Sequence, residues 1–235
     1  MTKFETPAFI KPTDPAGDVI VFGKSPETEA RDIENGVARF GGTWRAPSYV
    51  LAYLRSSAIL VNHGVREKCL DEIALPAFYM QRHALELFVK RLLSWVYELA
   101  EFQEELGQAN QGVPSKKQLE RAKGTHNLES LLQDLHSTSA HFGFGDPPES
   151  ISSLVRRVGT FEISETWSRY ESAEKRDGTV VHHVDEEIEL PIVEMQRDLE
   201  ALYSEVAHRQ DDDSTYESNI YEAWLYAARS AGKAG

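Results

Sequence analysis

One cysteine, Cys69, stands in 235 residues. That excludes an internal disulfide framework and a cysteine-built zinc site. No apolar run approaches the roughly 18 residues a membrane-spanning helix needs, so no such helix is expected. The opening MTKFETPAFIKPTDPAGD lacks the apolar centre of a secretory signal, and a cytoplasmic location is the simplest expectation. Basic charge is also scarce. Lys and Arg number 25 against 38 Asp and Glu, for a formal net charge of -13. Such a chain repels phosphate as a whole, so nucleic-acid contact requires a local basic patch or a partner chain. Complete catalytic and ligand motifs are missing too. Gly23-Lys24-Ser25-Pro26 lacks the full phosphate-loop spacing. No HExxH occurs, and Asp211-Asp212-Asp213 lacks the Gly and terminal Glu of a calcium loop. No metal and no cofactor are expected.

What is present is a core former. The hydrophobic fraction is 41% and the charged fraction 27%, ordinary for a globular chain. One stretch dominates, LPAFYMQRHALELFVKRLLSWVYELAEFQEEL, at about 75–106. Phe78, Leu85, Phe88, Leu92, Trp95, Val96, Leu99, Phe102 and Leu106 recur at spacings of three, four and seven. That periodicity predicts one long amphipathic helix with shorter elements packed along it.

Around that rod the remaining chain reads as follows. Residues 1–45 form an N-terminal arm with one short strand, Val19 to Phe22. A first helix opens at Pro47 and stops near His63-Gly64, where glycine suits a left-handed cap. Residues 108–117 read as a polar loop, followed by the most basic segment, Lys116, Lys117, Arg121 and Lys123. Leucines 128, 131, 132 and 135 predict a helix capped by Thr125 or Asn127. Helices follow at 149–158, from about Pro191 toward His208, and at 216–230. Asp177-Gly178 between strand-forming residues predicts a small β-hairpin at about 168–184. The expected fold is mostly α, a helical bundle around the long helix, with residues 46–235 as a single domain.

The pairing of YMQRHALELFVKRLL (79–93) with THNLESLLQDL (125–135) resembles the HEPN superfamily of helical domains. Arg169-Tyr170 followed by Gly178 is similar to an RYP…G element of some relatives, with Glu171 here replacing the proline. The resemblance implies a helical, homodimeric protein associated with nucleotides or RNA. Many such domains are metal-independent endoribonucleases in toxin–antitoxin or phage-defence settings. Their site pairs an Arg with a His a few residues later, at a two-fold dimer interface. RNA carries its own nucleophile, the 2′-OH, so His need only move a proton and Arg need only balance phosphate charge.

Two segments carry that Arg-to-His pattern. Arg121 and His126 enclose four residues; Arg176 and His182 enclose five, with His183 next. Neither stands on the late helix where the family places it. The candidate catalytic set is therefore Arg121, His126, Arg82, His83 and Glu86, with Arg176 and His182 as an alternative pair. A different reading has Arg82, His83 and Glu86 as an interior polar network, reaching His126 across the bundle. It leads to a second functional class, a non-catalytic helical module for dimerisation or for a protein or nucleotide partner.

Overall fold

The computed structural model describes residues 26–38, 48–108, 114–162, 167–168, 172–174, 177, 179–182, 184, 186–208 and 214–233. They group into two compact units, Met1–Ala52 and Tyr53–Gly235. The first unit contains α1 (Pro26–Glu34), which periodicity did not single out, and the opening turn of α2 (Tyr49–Glu67). The expected strand at 19–22 lies outside the described residues.

The second unit is built along α3 (Leu70–Glu105), a helix of 36 residues. At 1.5 Å per residue it is roughly 54 Å long. It is buried on more than one side: Phe78, Leu85, Phe88, Val89, Leu92, Leu93, Val96 and Tyr97 are all at most 1% exposed. A helix apolar over that much of its circumference must be covered from several directions. Here α4 (Lys116–Gly124), α5 (Leu128–Phe142), α7 (Ile192–Val206) and α8 (Tyr216–Ser230) all contact it, and α6 (Glu149–Gly159) bridges α5 and α7.

Polar contacts set the register of those helices. Gln81 donates to the Ile192 carbonyl at 2.8 Å, fixing α7 at its first residue. Trp224 donates from Nε1 to Glu98 at 2.8 Å and meets Trp95 edge-on, docking α8. Tyr216 donates its hydroxyl to Ser139, joining α8 to α5. Two three-residue strands, Ser172–Glu174 (β1) and Val180–His182 (β2), pair antiparallel, with Ser172 opposite His182.

Several boundaries differ from expectation. α2 passes through His63-Gly64 and ends at Glu67. A Cβ at Gly64 would lie 2.8 Å from Ile73 and 3.0 Å from Leu70. Gly64 thus serves close approach, and the left-handed residue is Lys68, with φ 59°. α3 starts at Leu70 rather than about 75, and Pro76 sits inside it, removing one backbone donor. The basic segment is a helix rather than part of a loop, because Ser115 and Gln118 form a capping box ahead of it. α5 runs on to Phe142, where Gly143 at φ 75° supplies the left-handed cap.

Candidate functional site

Arg82, Glu86 and Lys90 follow at four-residue intervals on α3, so all three side chains share one face. Glu86 is the centre. Its carboxylate is 2% exposed, and its Oε2 accepts from Arg82 Nη1 at 2.7 Å. Its Oε1 accepts from Lys90 Nζ at 2.8 Å and from His126 Nδ1 at 2.9 Å. Burial pushes the Glu86 carboxyl up, but the hydrogen bonds from Lys90 and Arg82 outweigh it and hold the group below its ordinary value.

Arg82 is spent on the protein. Nη1 goes to Glu86, Nε to Glu162 just past α6, and Nη2 to the backbone carbonyl of His126. Its side chain is 5% exposed. Burial lowers its tendency to hold charge, yet the Glu162 and Glu86 carboxylates more than compensate and the guanidinium stays charged. Two cations, Arg82 and Lys90, face two carboxylates, Glu86 and Glu162, so the cluster is balanced. Each of the three guanidinium nitrogens donates to a protein acceptor and the side chain is buried, so Arg82 is not presented to a phosphate.

His126 differs from its neighbours. Its side chain is 47% exposed, although Nδ1 rests on a buried carboxylate. An ionised carboxylate only accepts, so Nδ1 carries the proton toward Glu86. That leaves Nε2 as the ring's basic atom. His126 stands in the three-residue link between α4 and α5, with Asn127 capping α5 behind it. A histidine held by a carboxylate at one nitrogen and open at the other can accept and return a proton.

The other candidate residues are placed differently. Arg121 turns to Asp134 on α5, with Nη2 2.5 Å from Oδ1, and ties α4 to α5. His83 packs between Tyr79, stacked at 5.6 Å, and Tyr53, edge-on at 4.4 Å. Its ring is part of an aromatic cluster and not of the Glu86 network. Arg176 and His183 lie outside the described residues, and of His182 only its backbone position in β2 is described. Sequence reasoning missed Glu162 entirely. It closes the Arg82 network from 80 residues away, and no local pattern marks such a partner.

Among the described residues no group of three His, Cys, Asp or Glu side chains is placed to hold a metal. No described helix is long and apolar enough to cross a membrane. No protein-family model matches the chain, and neither a curated protein nor a solved structure does.

Proposed function

We propose that this chain is a HEPN-like helical protein that acts on RNA, with His126 as its proton-transfer group. One observation carries the reading: the half-exposed His126 ring is held through Nδ1 by the buried Glu86 carboxylate. Nε2 would take the proton of a ribose 2′-OH as that oxygen attacks the neighbouring phosphate. The bond from phosphorus to the 5′-oxygen of the next nucleotide breaks, leaving a 2′,3′-cyclic phosphate, and the departing 5′-oxygen takes a proton from water. No metal is needed for that step, because the nucleophile belongs to the substrate. The exposed Lys117 and Lys123 on α4 are the cations for phosphate, in place of the buried Arg82. A homodimer and a cytoplasmic setting, such as toxin–antitoxin or phage defence, go with this reading.

The test is incubation of purified protein with tRNA and total RNA in EDTA. Wild type is expected to cut, and His126→Ala to lose about 10²–10⁴-fold of that rate, the usual weight of one general base. Circular dichroism of the variant checks that the loss is not unfolding.

A second reading rests on a different observation, the burial of Arg82 among three protein acceptors. A buried guanidinium that joins three separate segments of the chain is a folding clamp. On that reading the chain is a non-catalytic module for dimerisation or partner binding. Absence of RNA cleavage by a folded wild-type dimer would select it.

A further inference from the structure

Beside the His126 cluster, a pocket of about 350 Å³ opens between α3 and α4. We infer that it binds a small organic anion with a flat apolar body. The inference goes beyond the action on RNA: it uses neither His126 nor Glu86 as a reacting group and shares only the Lys123 cation with that reading.

The volume lies within the range of pockets that enclose small molecules. The apolar wall is rigid. Leu119 and Ala122 on α4 are 9% and 3% exposed, and Trp95 on α3 is braced edge-on by Tyr221 at 4.6 Å and Trp224 at 4.7 Å. A ring or short chain entering there displaces water from a surface that is already organised, so little ordering cost is added.

The charge of the lining sets the sign of the ligand. The chain carries 38 acidic residues against 25 basic, yet among the described residues no Asp or Glu lines this pocket, whereas Lys90, Arg91 and Lys123 do. Arg91 is neutralised by Glu217 at 2.6 Å. Lys90 gives two of its N–H groups to Glu86 and to the Lys123 carbonyl, which leaves a third. The exposed Lys123 ammonium has no protein acceptor among the described residues. One anionic head can therefore be held between Lys90 and Lys123, with its body on Trp95 and Leu119. Carboxylate and phosphate heads share that chemistry.

Phenyl phosphate and benzoate are the probes; phenol and inorganic phosphate are the controls. Each is titrated into the full chain while the Trp95 indole N–H signal is followed by NMR. Saturable binding by at least one aromatic anion is expected, with a dissociation constant on the order of 1 mM for so small a ligand. Phenol and phosphate should each bind more weakly than the anion that joins both parts. Lys123→Glu, on an exposed side chain, is expected to weaken the anion about tenfold or more by reversing a facing charge. Leu119→Trp fills the cavity and is expected to abolish binding. If that variant does not fold, Lys123→Glu decides alone. No saturable shift with either aromatic anion would overturn the inference. So would phenol binding as tightly as phenyl phosphate, or binding unchanged in folded Lys123→Glu.

Discussion

Arg82 donates from Nη2 to the backbone carbonyl of His126, 44 residues further along the chain. On the same face of α3, Glu86 accepts from the His126 ring. His126 is thus held at its backbone and at its side chain by two residues one helical turn apart. The link between α4 and α5 is fastened to the long helix there, and the half-exposed ring takes a defined direction.

The clamp should be a large part of the stability. Arg82→Ala leaves the buried Glu86 carboxylate, the partly exposed Glu162 carboxylate and the His126 carbonyl without that partner. The expected loss is about 3 kcal/mol, the scale of breaking a buried ion pair from one side. Urea denaturation measures it. The double variant Arg82→Met with Glu86→Met should recover part of the loss, because the most buried carboxylate is removed together with its partner. An unchanged midpoint for Arg82→Ala would contradict the clamp.

Acid should act through Glu86. Its carboxyl is held below the ordinary value of 4.5 by the Lys90 and Arg82 hydrogen bonds, against the opposing effect of burial. A group depressed in the folded state adds stability that is complete above its unfolded value and fades as pH falls through the folded one. Wild type should therefore lose urea resistance steeply below about pH 4.5. Glu86→Gln should start weaker at pH 7 and decline less over that acid window.

Two tyrosines should respond to alkali and differ at neutral pH. Burial pushes both Tyr97 and Tyr216 up to about 12. The unfolded chain ionises them near 10, so each makes the folded state lose stability as pH rises from about 10 to 12. Removing either hydroxyl should flatten that decline. At pH 7 the two part company. The Tyr97 hydroxyl is buried without a hydrogen-bond partner among the described residues, so Tyr97→Phe should be neutral or stabilising by up to about 1 kcal/mol. Tyr216 donates to Ser139, so Tyr216→Phe should cost about 1 kcal/mol. Thermal and urea melts of the two variants make the comparison.

Gly64 should not tolerate a methyl group. A Cβ there falls 2.8 Å from Ile73 Cγ1, close to the branch point and not at a flexible tip. Gly64→Ala is expected to destabilise by about 1–3 kcal/mol through overpacking. Adding Ile73→Ala, which removes the clashing atoms, should restore part of it. A stabilising Gly64→Ala, the usual result within an open helix, would show that the two elements can separate at no cost.

The amino-acid sequence determined the helical class of the molecule and its long central helix. Helical periodicity is a local property: Phe78, Leu85, Leu92 and Leu99 meet on one face whatever the rest of the chain does. The i, i+4 pair of Arg82 and Glu86 is local in the same sense, and so is the cap at Asn127. Local pattern also misled at Gly64, where a residue suited to ending a helix instead gives Ile73 room. Tertiary structure alone decided which groups are spent and which remain. Glu162 closes the network around Arg82, Asp134 takes Arg121 away from His126, and Lys90 and Lys123 come to rim one pocket. Those partners are 80, 13 and 33 residues apart, and the hydrogen bonds of a side chain depend on what packing brings beside it. The chain order carries no periodic trace of such meetings, so only the folded molecule shows that Arg82 is closed and His126 is open.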